Sequence, residues 1–111
     1  MPMIIHERKV GPIVMLELGE RLTIEGVGEL REKVESLIAE RHIALLLDCS
    51  RVTAIDSQGL GALVRTWVSC KRRGGKLELV HSVRLREVLK ITGLQKVIEC
   101  FDDVGSALRS F

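Results

Sequence analysis

The chain has no tyrosine, one tryptophan and two phenylalanines among its 111 residues. Trp67, Phe101 and Phe111 are too few and too scattered to build a stacking platform for nucleic-acid bases. An excess of one charge is missing too: 17 basic and 15 acidic residues leave a net charge of +2. So close a balance offers no electrostatic footprint for nucleic acid or for a membrane surface. Cysteine is sparse, and Cys49, Cys70 and Cys100 are odd in number and far apart. That pattern excludes a disulfide framework and a C-x-x-C pair for zinc or redox work, and reads as reduced, mostly buried thiols of a cytoplasmic protein. No apolar run approaches the roughly 18 residues of a membrane span. The N-terminus, with Glu7 and no small-residue cleavage site, does not read as a signal peptide.

What is present is ordinary globular composition, 46% apolar and 29% charged. The length suits one domain, residues 1–111, able to bury about two-thirds of its unfolded surface. There is no linker, repeat or low-complexity segment. Met3 to Lys9 and Ile13 to Leu18 are short β-rich runs around Val10-Gly11-Pro12, which predicts a hairpin. From about Gly28 to Arg41, Leu30, Val34, Leu37 and Ile38 line one face of an amphipathic helix. Ile43 to Leu47 is unbroken apolar, as in a central strand covered on both faces. Leu60, Leu63, Val64, Trp67 and Val68 mark a second helix, closed by Gly74-Gly75, with Lys71, Arg72 and Arg73 complementing its negative end. Leu77 to Val80 reads as a strand, Val83 to Thr92 as a helix stopped by Gly93, and Val97 to Phe101 as a last strand. Asp102 or Asp103 would cap a short final helix. The order β-β-α-β-α-β-α-β-α predicts an α/β domain: a mixed sheet, N-terminal hairpin plus parallel strands, packed with about four helices.

Sites in such sheets gather at the carboxyl ends of the strands, and Asp48 to Ser57 sits at one. The stretch Val52-Thr53-Ala54-Ile55-Asp56-Ser57-Gln58-Gly59-Leu60-Gly61 leads into the second helix, so Asp56 and Ser57 meet its unpaired N–H groups. Serine hydrolysis fails on sequence. Ile55 stands where a nucleophile elbow has its first glycine, and His6, His42 and His81 break the required acid-then-histidine order. A phospho-aspartate receiver built on Asp48 lacks the acidic pair for magnesium and the later lysine. The three histidines have no partner at metal-ligand spacing, and Gly26-Val27-Gly28 is too short for a nucleotide fingerprint. No catalytic, cofactor-binding or metal-binding residues are expected, and the chain does not read as an enzyme. For Ser57 two readings stand: an N-cap whose hydroxyl accepts a backbone N–H, or the acceptor of a phosphate at a partner surface. Gly59 and Gly61 would let a partner approach the first turn closely.

The same residues resemble the signature of the STAS domain, the family of bacterial anti-sigma factor antagonists. The pattern runs from Leu45-Leu46-Leu47-Asp48 through Asp56-Ser57-Gln58-Gly59-Leu60-Gly61, with Gly74-Gly75-Lys76-Leu77 and Ile91-Thr92-Gly93-Leu94 after the two following helices. The likeness covers nearly the whole chain. It implies a partner switch, in which the antagonist binds a kinase-type anti-sigma factor and so releases a sigma factor for transcription. The kinase then uses ATP to phosphorylate the serine, here Ser57, and the modified antagonist dissociates until a serine phosphatase resets it. Partner contacts are expected from Asp56, Ser57, Gln58, Gly59, Leu60, Gly61 and Thr23. The alternative is a STAS domain without phosphorylation, a scaffold or accessory subunit of a signalling or lipid-transport complex. Two departures from the family pattern are visible: Gln58 replaces a common second Ser or Thr, and Thr23 stands, one residue later, where an aspartate is frequent.

Overall fold

The computed structural model describes residues 5–111. Strand β1 (Ile5–Val10) pairs antiparallel with β2 (Ile13–Leu18), and Gly11 turns between them at φ 59°, in the left-handed region that glycine enters freely. Met3 and Ile4, the start of the expected first strand, lie outside the described residues. There follow β3 (Arg21–Leu22), α1 (Val27–Ala39), β4 (Ala44–Asp48), β5 (Ala54–Ile55) and α2 (Ser57–Arg72). The chain ends with β6 (Lys76–Val80), α3 (Val83–Thr92), β7 (Glu99–Phe101) and α4 (Val104–Arg109). The main sheet runs β1-β2-β4-β6-β7, with every pairing after the hairpin parallel. This is the expected mixed α/β architecture with four helices.

The apolar run of β4 lies at the centre of that sheet. Leu45 and Leu47 point into the larger core with Leu30, Val34, Leu63 and Leu85 from α1, α2 and α3. Leu46, between them, faces the other way, toward Ala107, Val104 and Leu108 of α4. A strand clothed on both faces needs no polar alternation, which is why this segment reads as continuous leucine. Burying each such side chain contributes about 1.5–3 kcal/mol.

One charged side chain is buried on the α4 face. Glu78 is fully buried opposite Leu46, accepts a hydrogen bond from the Ser110 hydroxyl and lies 3.4 Å from the Lys76 ammonium. Lys76 also donates to the Ser110 carbonyl at 2.8 Å and sits 5.5 Å from the centre of the Phe111 ring. The C-terminal residues are thereby closed over the sheet.

Helix ends follow from short-range chemistry. Ser82 caps α3 by accepting from Leu85 N–H at 3.0 Å, and Gly93 ends it at φ 75°. Asp103, of the two candidates, caps α4 through Ser106 N–H at 2.8 Å. Helices α1 and α2 finish in the same hydrogen-bond pattern. Gly75 N–H donates to Cys70 carbonyl and Gly74 N–H to Lys71 carbonyl; His42 N–H donates to Leu37 carbonyl and Arg41 N–H to Ile38 carbonyl. Gly74 takes the left-handed position in one and Arg41, at φ 66°, in the other.

The expected last strand is corrected in detail. The last strand starts at Glu99 rather than Val97, because Leu94–Lys96 form a 3-10 turn. The Leu94 carbonyl receives both Val97 and Ile98 N–H, and Ile98 is spent on the core before pairing begins. The two-residue strands β3 and β5 were not expected; they form a separate parallel ladder, Arg21 with Ala54 and Leu22 with Ile55.

Candidate functional site

The β3–β5 ladder aims the α2 N-terminus. Thr53 and Ala54 N–H groups donate to the Glu20 carbonyl at 2.9 and 3.1 Å, so the chain arrives at Asp56 extended (φ −115°, ψ −179°). An extended residue just before a helix is the N-cap, and here that residue is Asp56. One of its carboxylate oxygens accepts Gly59 N–H at 2.8 Å and the other accepts Ile24 N–H at 3.0 Å. The first bond caps α2; the second staples it to the loop between β3 and α1. The Gly59, Ile24 and Gln58 N–H groups together hold the Asp56 carboxyl below the usual carboxylate range.

Ser57 is therefore not the cap. It is the first residue inside α2, exposed, and its hydroxyl has no hydrogen-bond partner among the described residues. Of the two readings of Ser57, the cap is overturned, because the Asp56 carboxylate ahead of it accepts the Gly59 N–H of the first turn. Gln58 is exposed beside it, and Leu60 is half-buried against the core.

The two glycines differ. A Cβ on Gly59 would stand 1.9 Å from the Leu22 carbonyl oxygen, so this glycine allows α2 to press against β3 and faces into the protein. A Cβ on Gly61 would meet only the movable Arg65 guanidinium at 3.2 Å, and this residue is half-exposed. Of the two glycines expected to let a partner approach, Gly59 is turned into the protein and only Gly61 leaves its side of the turn open. Thr23 has 9% of its surface exposed, and its carbonyl accepts Gly26 and Val27 N–H to start α1. It lies next to Ile24, whose N–H is on Asp56, so the Thr23 loop and the Ser57 turn do meet.

Ile24 itself escaped the sequence reading. It is a large apolar side chain 60% exposed, directly beside the Asp56 cap. Its neighbours Thr23 and Glu25 are polar, so no periodicity marks it; only the Ile24–Asp56 bond brings it to this site. Cys49 and Cys70 are buried and Cys100 half-buried. Burial pushes the Cys49 thiol far up and those of Cys70 and Cys100 up to about 11, so all three are protonated at neutral pH. Asp48 accepts Ser50 N–H at 3.0 Å, turning the chain out of β4.

The arrangement is a hydrogen-bonded turn that offers one free hydroxyl at a helix N-terminus, flanked by an exposed amide and an exposed isoleucine. The STAS domain family model matches residues 5–107, and the chain belongs to that family. It is 33% identical over 87 residues to the anti-sigma-B factor antagonist of Bacillus subtilis, covering 78% of this chain and 79% of that protein. The crystal structure of a candidate anti-sigma factor antagonist from Thermotoga maritima superposes with a TM-score of 0.90 at 25% identity, covering 96% of this chain and 92% of that one. The Bacillus cell fate determinant SpoIIAA, in its phosphorylated form, shares the fold with a TM-score of 0.74 at 19% identity, covering 97% and 100%. Among the described residues no helix is long and apolar enough to cross a membrane.

Proposed function

We propose that this chain is an anti-sigma factor antagonist governed by phosphorylation of Ser57, a cytoplasmic binding module with no catalysis of its own. The observation that carries the reading is the exposed, unbonded Ser57 hydroxyl on the first turn of α2, beside a carboxylate already committed to two backbone N–H groups. A free hydroxyl can enter a kinase site without breaking any bond of the fold. The antagonist names of the Bacillus subtilis relative and its kin support the partner class, an anti-sigma factor. In this reading the partner is of the kinase type, and a serine phosphatase restores the hydroxyl.

Physical chemistry gives the switch its sign. A phosphate brings roughly −1.5 to −2 charges, which the N-terminus of a 16-residue helix tolerates. The fold survives, and the added charge acts on whatever is docked there. Exposed Gln58, half-exposed Gly61 and half-buried Leu60 surround Ser57 as contacts, with Asp56, Gly59 and Thr23 shaping the turn from behind. An uncompensated charge buried at an interface costs several kcal/mol, and each 1.4 kcal/mol is tenfold in affinity.

The test uses a kinase-type anti-sigma factor from the same genome with ATP. Wild-type chain is expected to gain the mass of one phosphate and Ser57→Ala none. Ser57→Ala should keep wild-type affinity for the kinase, while Ser57→Asp should bind at least about tenfold more weakly, a loss of about 1.4 kcal/mol. Equal binding by the two variants would refute the switch.

A further inference from the structure

Helices α1 and α2 together line a groove of about 650 Å³. Its floor is apolar: Val27, Val64 and Val68 are half-buried over Val34 and Ala62, which are buried. Its rim is cationic. Arg31 on α1 and Arg65 and Arg72 on α2 are exposed, and none makes an ion pair among the described residues. Among the described residues Glu35 is the one carboxylate that lines the groove with these three guanidinium groups. What marks this groove is its lining: three guanidinium groups gathered over an apolar floor, in a chain whose net charge is only +2.

The groove is also continuous with the Ser57 turn. Ile24 and Gln58 line its upper end, and Ile24 N–H is on the Asp56 carboxylate. From Gln58 to Arg72 the wall of α2 runs for about 21 Å at 1.5 Å per residue. Its shape is that of an open trough, suited to a length of polypeptide. Arg65 and Arg72 are seven residues, two turns, apart on one side of α2, a repeat that matches carboxylates two turns apart on a docked helix.

We propose that the α1–α2 groove receives an acidic amphipathic helix of the protein partner, its apolar face on the valines and its carboxylates on Arg31, Arg65 and Arg72. This rests on reading the chain as a partner-binding module. It adds a second contact to the one at Ser57: the groove supplies affinity, and the Ser57 turn, at the groove's upper end, decides whether the docked partner stays. Charge complementarity and continuity with the Ser57 turn select this occupant over a second copy of the chain or a small apolar ligand.

The probe is a synthetic 14-residue amphipathic helix carrying leucines on one face and glutamates beside them, with a lysine-for-glutamate peptide as its control. Methyl resonances of Val27, Val34, Val64 and Val68 are followed by NMR during titration. The acidic peptide is expected to shift them saturably and the lysine peptide to leave them in place. The double variant Arg65→Glu, Arg72→Glu should weaken the acidic peptide at least tenfold. Gly28→Phe is a second variant: Gly28 borders the groove, and a Cβ there meets nothing within 4 Å, so the ring fills the trough without disturbing the fold. It too should weaken binding. No shift with the acidic peptide, equal shifts with both peptides, undiminished binding by the charge-reversed chain, or a self-associated dimer seated in the groove each overturns the proposal. No kinase takes part, so failure here is distinct from failure of phosphorylation at Ser57.

Discussion

Asp56 and Ser57 are neighbours with divided duties. The carboxylate holds the turn, and the hydroxyl is left free on its outside. The sequence made the neighbourhood plain but misassigned the cap, since serine and aspartate are both good caps and stand side by side. What decides between them is where the chain stops being extended. That is set by the pairing of β5 with β3, more than thirty residues back, which no local pattern reveals. Gly59 was misjudged for the same reason: its closest contact is Leu22. The Asp56 bonds carry a pH signature. Its folded pKa lies below the unfolded value, so its contribution is fully present above the ordinary carboxylate pKa of about 3.9 and is lost as pH falls through the folded pKa. Asp56→Asn offers one acceptor oxygen where two N–H groups wait. In urea unfolding the variant should be less stable than wild type at pH 7, and the gap should close as the pH drops below about 3.9.

At the scale of elements, the helices were the most legible. The boundaries of α3 agree with the expectation because Ser82 and Gly93 are unambiguous start and stop residues. The end of α1 was set two residues late. Its left-handed position is filled by Arg41, which carries no stop signal, whereas Gly74 marks the same position after α2. An L-residue pays about 1–2 kcal/mol for that conformation, partly offset by the extra freedom glycine has when unfolded. Arg41→Gly should therefore stabilise the chain by about 1 kcal/mol, read as a raised urea midpoint with unchanged slope. Strands β3 and β5 were not legible at all. Two residues cannot show a period, and their pairing is wholly long-range.

For the whole molecule, alternation of elements and the leucine run of β4 were enough to predict the sheet and its two-sided cover. What they did not reveal is the charge sealed under the C-terminal residues. Glu78 is fully buried with one oxygen unpartnered among the described residues, and Lys76 is the cation that compensates it. Lys76→Met leaves that carboxylate buried and unpaired, at a cost of about 3 kcal/mol, the low end for such losses because Lys76 keeps part of its solvent. Glu78→Met removes the buried charge and leaves a lysine that can reach water, so stability should be unchanged or higher. Thermal unfolding should then show a loss for Lys76→Met and none for Glu78→Met; parallel losses would show that the ion pair itself is stabilising.

The ladder of β3 with β5 also bears on when the turn exists. Residues 21–24 and 54–59 make it together, through bonds that run from one segment to the other. A chain still emerging from the ribosome displays the Asp56-Ser57-Gln58 sequence before the carboxylate has found Ile24. Any enzyme or partner that reads the turn in its assembled shape would thus pass over nascent and unfolded copies, and a signal written at Ser57 would count folded molecules only.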